Sequence, residues 1–223
     1  MYLLTAYFDD STTEQLQRLM DEVARQTGND FMIRNHVPPH LTICAFDQKN
    51  PQRAVELFER FSEKLIADKN NISSSNISSR NINCNRSSST INSGNDINHI
   101  YIASPGAFLP SVIYLEAVQN RYLFELSEMV HKEFCVDPAT RPNRFYLPFQ
   151  WIPHITIAKQ LTDEQMRIAY AVLQQSFHPL EAKIVRFGLS KPNPHTDLAE
   201  RRIHGNSCNI YGAASTNDYS GNR

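Results

Sequence analysis

Residues 40–46 read HLTICAF and residues 151–159 read WIPHITIAK, so the pattern His, apolar, Thr, apolar stands twice in one chain, at 40–43 and at 154–157. Both runs are rich in β-branched residues and alternate with the period of two that marks a strand. In a strand, residues i and i+2 share a face. His40 and Thr42 therefore project together, as do His154 and Thr156, while Leu41, Ile43, Ile155 and Ile157 point the other way, toward a core. A polar face over an apolar back is what a ligand-lining strand needs. One such strand carries little weight, because a lone His-x-Thr is most often a surface or packed histidine. Two at matching places in a repeated frame are different.

Working outward from each motif, the frame does repeat. YLLTAYF (2–8) reads as a strand, and Ser11-Thr12-Thr13-Glu14 has the form of a capping box, opening a helix with Leu16, Leu19, Met20 and Val23 on one face. The first motif strand follows. Pro51 then begins a helix in which Ala54, Phe58, Phe61 and Leu65 keep helical spacing, and HIYIASPGAF (99–108) is a third strand. The second set starts with the strand VIYLEAV (112–118) and a helix over 121–134 with Leu123, Leu126, Val130 and Phe134 three to four apart. The second motif strand leads to Thr162-Asp163-Glu164-Gln165, another capping box, opening a helix with Ile168, Ala169, Val172 and Leu173 inward, and AKIVRFGLS (182–190) closes the set. Each half, 1–109 and 111–192, is strand, helix, motif strand, helix, strand. From Leu3 to His40 is 40 − 3 = 37 positions and from Ile113 to His154 is 154 − 113 = 41, so the motif falls at the same place in each.

Two polar stretches interrupt or follow this frame. Residues 70–98 hold nine Asn and nine Ser among 29 residues, a composition that cannot bury enough apolar surface to offset its ordering entropy, and a disordered insertion is expected there. The tail from Gly205 to Arg223 has the same character. The expected domain is thus 1–204. A net charge of −1 argues against a general nucleic-acid or membrane binder but leaves room for a local anion site. The four cysteines show no metal-ligand spacing, and Cys44 and Cys135 read as buried thiols. The opening MYLLTAYFDD carries neither the basic segment nor the apolar core of a secretory signal, so a cytoplasmic protein without membrane contact is expected.

Two imidazoles facing one cleft suit cleavage of a phosphodiester. In-line displacement at phosphorus needs a base on the incoming oxygen and an acid on the departing one, and histidine serves either role near neutral pH. The hydroxyls of Thr42 and Thr156 are placed to hold the equatorial oxygens, whose charge rises in the transition state. No cofactor is called for, and the chain lacks metal motifs of the H-E-x-x-H kind. The other six histidines, His36, His99, His131, His178, His195 and His204, lack the pattern and read as structural or exposed.

The paired HLTI and HITI strands, the proline before each histidine (Pro39 and Pro153) and the duplicated halves resemble the 2H phosphoesterase superfamily, and most of all its bacterial 2′-5′ RNA ligase and RNA 2′,3′-cyclic phosphodiesterase branch. The resemblance covers about residues 1–69 and 99–192. It implies an α+β, bilobal, pseudo-two-fold fold, two antiparallel-rich sheets flanked by helices around a central groove. It also implies that His40 and His154 are the acid–base pair, that Thr42 and Thr156 bind phosphate, and that the substrate is an RNA end or nucleotide taken by a monomer. Many relatives carry a basic residue, usually Arg, five positions after the second His; here Lys159 stands there, charged but without the planar fork of a guanidinium. Strand parity puts Lys159 on the face away from His154. Relatives stack a base on an aromatic ring, for which Tyr7, Phe46, Phe149 and Trp151 are candidates, and parity with His40 favours Phe46. The residues leave open which histidine is acid and which base. They also leave open a linear 2′-5′ diester as substrate, or a nucleotide-binding module without turnover.

Overall fold

The computed structural model of the chain describes residues 1–74, 98–203 and 208–211. The order is β1 (Tyr2–Phe8), α1 (Asp10–Thr27), a single-turn α2 (Phe31–Arg34), β2 (Leu41–Asp47), α3 (Pro51–Ser74), β3 (His99–Phe108) and β4 (Val112–Ala117). There follow α4 (Arg121–Phe134), β5 (Arg141–Pro142), β6 (His154–Lys159), α5 (Asp163–Ser176), β7 (Leu180–Lys191), β8 (Thr196–Arg202) and β9 (Cys208–Ile210). This is an α+β fold with one large antiparallel sheet flanked by helices.

Local chemistry sets the helix starts. Thr162 caps α5 in the expected reciprocal box with Gln165. At α1 the expected box at Ser11 is not used: Asp9 is the cap, accepting from the Thr12 backbone at 3.0 Å and the Thr12 hydroxyl at 2.9 Å. Asp9 also accepts the Lys183 N–H at 3.1 Å, so one carboxylate satisfies donors on a helix and on β7, which a serine hydroxyl cannot do. α1 and α5 pack on each other and against β3, β4 and β6; α3 and α4 pack on each other and against β2 and β8. Most of the expected inward residues are buried, with Leu16, Val23, Ala54, Phe58, Phe61, Leu123, Phe134 and Leu173 fully so, while Leu19, Ile168 and Val172 are half-buried. Each large apolar side chain so enclosed contributes about 1.5–3 kcal/mol of transfer free energy. Cys44 is buried as expected, but Cys135, one residue past α4, is exposed.

Within the sheet the neighbours run β5-β2-β1-β7-β3-β4-β6, with β8 on β7 and β9 on β8. The expectation was two sheets; the described strands form one, because β7 is 12 residues long and serves both sides. Its residues 184–190 pair with β1 and its residues 180–183 with β3. The pairings on the two sides match position for position. β1 meets β2 with Leu4 opposite Cys44 and Thr5 opposite Thr42, leaving Ile43 unopposed. β4 meets β6 with Ile113 opposite Ala158 and Tyr114 opposite Thr156, leaving Ile157 unopposed. The other edges agree too: β1–β7 skips Val185 and aligns Thr5 with Gly188, and β4–β3 skips Ala103 and aligns Tyr114 with Gly106. Both glycines are required sterically, since a Cβ on Gly188 would lie 2.7 Å from the Tyr7 ring and one on Gly106 2.5 Å from the Tyr114 ring.

Two boundaries differ from expectation. α3 runs to Ser74, so the first residues of the 70–98 stretch continue a helix, and Asn98 is buried with its amide donating to the Ile184 carbonyl. Residues 75–97 lie outside the described part. Cys208–Ile210 of the expected tail forms β9, because β8 offers it an unpaired edge; residues 205–207 and 212–223 lie outside the described residues. β8 itself was not expected: TDLAERR has no apolar alternation to announce a strand.

Candidate active site

His40 immediately precedes β2 and His154 opens β6. Each ring is held by the same bond. His40 Nδ1 lies 2.7 Å from the carbonyl of Pro38, and His154 Nδ1 lies 2.8 Å from the carbonyl of Ile152, two residues back in both cases. A carbonyl only accepts, so each Nδ1 carries the hydrogen and each neutral ring keeps its Nε2 lone pair for something else. Thr42 is buried and Thr156 half-buried, and among the described residues neither hydroxyl is committed to a hydrogen bond.

The unopposed isoleucines decide which side chains join these groups. Directly opposed residues of an antiparallel pair share a face. Glu116, Tyr114 and Val112 share one face of β4, and they oppose His154, Thr156 and Lys159. The bulge at Ile157 therefore turns Lys159 back onto the side of His154, against the parity expectation. Its ammonium donates to Asn193 Oδ1 at 3.1 Å and lies 4.8 Å from the centre of the Phe31 ring, and burial lowers its pKa. The same bulge at Ile43 has the opposite consequence on β2. Phe46, expected to share the His40 face, opposes Tyr2 and lies in the core, 5.6 Å from the Tyr2 ring and 4.8 Å from Phe134. It is no stacking platform.

The motif strands are brought together at the open edge of β2. Strand β5 pairs there, Asn143 N–H donates to the Ala45 carbonyl at 2.7 Å, and the Trp151 indole donates to the Thr42 carbonyl at 3.1 Å. The chain that leads into the second motif is thus laced along the first, and β2 and β6 are in contact. Trp151 is buried in this role, not free to stack. Phe149 is 88% exposed and leans on Phe124, and His36 is exposed. Beside His154 a cavity of about 380 Å³ opens between Phe108, Phe145 and Tyr146, with Asn143 and Gln150 on its rim.

Burial lowers the pKa of His40 to about 4; the Pro38 bond opposes this, nearby His195 and His154 add to it, and Asp197 opposes it again. His154 is also lowered by burial, against the Ile152 bond. The residue that sequence reasoning missed is His195. It sits in the turn between β7 and β8 with its side chain 5% exposed and its ring 5.4 Å from that of His40. Tyr7 and Asp197 lie against it, and Arg186 stands over the Tyr7 ring. The signal available was Pro-Asn-Pro at 192–194, a turn after a strand that announces a returning partner.

No known family model matches the chain, and no curated protein matches it.

Proposed function

We propose that the chain is a phosphoesterase that hydrolyses a 2′,3′-cyclic phosphate at the end of an RNA or on a nucleotide, using His40 and His154 as its acid–base pair. The fold is then a duplication, with β2-β1-β7 and β6-β4-β3 as pseudo-two-fold mates and the substrate in a groove between them. The observation that carries this reading is the matched pair of Nδ1–carbonyl bonds. Both leave Nε2 outside that bond on a histidine two residues before a threonine, in two strands whose registers and bulges coincide.

One imidazole takes the proton of an attacking water while the other protonates the ribose oxygen that leaves, and the cyclic ester opens to a monoester. Thr42 and Thr156 donate to the equatorial oxygens, and Lys159 adds positive charge on the same face. The aromatic cavity beside His154 has the size and lining for a base, where stacking contributes about 1–3 kcal/mol. With a 5′-hydroxyl in place of water the same ring opening joins the two ends, and a weak 2′-5′ ligase activity accompanies hydrolysis.

The test is turnover of 2′,3′-cyclic nucleotides followed by phosphorus NMR. His40→Ala and His154→Ala should each lower the rate by about 10²- to 10⁴-fold, and EDTA should leave the wild-type rate unchanged. Full turnover in either variant would refute the assignment. Tight nucleotide binding with no hydrolysis by the wild type would point instead to a binding module.

A further inference from the structure

The surroundings of the two histidines differ. Tyr7 donates its single proton to Asp197 Oδ1 at 2.6 Å, so in the 2.9 Å pair between the Tyr7 oxygen and His195 Nε2 the hydrogen belongs to His195. The backbone N–H of His195 donates to the Asn35 carbonyl at 2.8 Å, which anchors the ring from its other end. Arg186 stands 3.9 Å over the Tyr7 ring and reaches Glu200 at 2.5 Å and Asp197 at 3.5 Å. Around His154 the ring neighbours are Phe108 at 4.8 Å and Tyr114 at 5.3 Å. Its cross-strand partner is the carboxylate-bearing Glu116, and Lys159 on the same face is engaged by Asn193.

We infer that His195 is a positioning residue for His40, and that this unlike company divides the work: His40 accepts the proton of the attacking water and His154 donates one to the leaving oxygen. The inference rests on the acid–base reading of the two motifs. Two adjacent imidazoles resist being charged together, and the His195 ring lies 5.4 Å from that of His40. Asp197 pulls the other way, but its carboxylate is already engaged by Tyr7, His195 and Arg186; burial opposes its low pKa and these partners impose it. His40 therefore stays neutral, with the Nε2 lone pair that a base needs. On the other side no second imidazole stands against the ring, whose neighbours are Phe108 and Tyr114, so His154 takes up the proton that an acid needs more readily than His40 does. In the step itself, the water oxygen bonds to phosphorus as its proton passes to His40 Nε2. The bond from phosphorus to one ribose oxygen breaks, and that oxygen takes the Nε2 proton of His154. His40 ends with one proton more and His154 with one fewer, and exchange with solvent restores both.

The experiment is an NMR titration of the imidazole resonances in the full-length protein, which needs no substrate and no turnover. As pH falls, His154 should gain its proton before His40. In His195→Asn the His40 midpoint should rise by about one pH unit with His154 unmoved, and in His195→Lys it should fall below the wild-type value. Where hydrolysis is measurable, the acidic limb of kcat/KM should move with the His40 midpoint, a response that a merely structural histidine would not produce. Should His195→Asn not fold, Asp197→Asn provides the second arm, lowering the His40 midpoint by removing its acidic neighbour. An unmoved His40 midpoint, or His40 charging before His154, overturns the inference. A phosphoesterase reading that fails would announce itself separately, as turnover unaffected by His40→Ala.

Discussion

β2-β1-β7 and β6-β4-β3 pair residue for residue, down to the unopposed isoleucine after each His-x-Thr and the glycine under each aromatic ring. Yet where β1 places Tyr7, hydrogen-bonded to Asp197 and beside His195, β4 places Glu116, exposed. The backbone frame is common to both; the surrounding side chains are not. Two histidines that the motif alone makes equivalent are thereby given different electrostatic neighbours. Register and bulge aim the catalytic candidates, burial lowers the proton affinity of both histidines, and His195 and Asp197 act on His40 in addition.

The largest expected difference between the two sides is in acid stability. In the unfolded chain His40 takes a proton near pH 6.5, whereas folded it resists until about 4. Between those values the unfolded state binds more protons, so stability falls as pH falls and is unaffected by this group above the window. The gap of 6.5 − 4 = 2.5 units corresponds to about 3 kcal/mol. Urea denaturation at pH 7 and at pH 4.5 should show His40→Phe losing much less stability on acidification than wild type, and His154→Phe resembling wild type more closely. Equal slopes for the two variants would erase the contrast.

The glycines offer a steric version of the comparison. Gly188→Ala and Gly106→Ala each push a β-carbon into a tyrosine ring, an overpacking that typically costs about 1–3 kcal/mol. Tyr7 is tied at its hydroxyl to both Asp197 and His195, so it yields less than Tyr114 and Gly188→Ala should be the more damaging by thermal melting. The reverse order would mean that the Tyr7 network is not the stiffer one. A smaller effect is expected at the seam between the two sides. Trp151→Phe keeps an aromatic ring and deletes the donor to the Thr42 carbonyl, leaving a buried acceptor unpaired at about 1–2 kcal/mol. A neutral result in chemical denaturation would show that the indole bond does not help to hold the motifs together.

Much of the scaffold was legible because its causes are local. The box at Thr162 and Gln165 lies within one turn of chain, and the apolar faces of α3 and α4 follow a 3.6-residue period over several turns. The Asp9 cap was missed because its advantage comes partly from Lys183, 174 positions away. β8 was missed because alternating charge in TDLAERR pairs across the sheet with Arg186 and is invisible as hydrophobic periodicity. Parity misplaced both Lys159 and Phe46 for one reason: a bulge inserts a residue into the count, and whether a strand bulges depends on what it pairs with.

From the chain alone came the repeated strand–helix frame, the pairing of each histidine with its threonine, and the choice of His40, Thr42, His154 and Thr156 as candidates, since alternation along a strand is a property of the backbone itself. Only the folded molecule decided that Lys159 returns to their side, that Phe46 and Trp151 are buried, and that His195 stands beside His40. Those outcomes depend on contacts between residues distant in sequence, and no periodicity within a single segment encodes them.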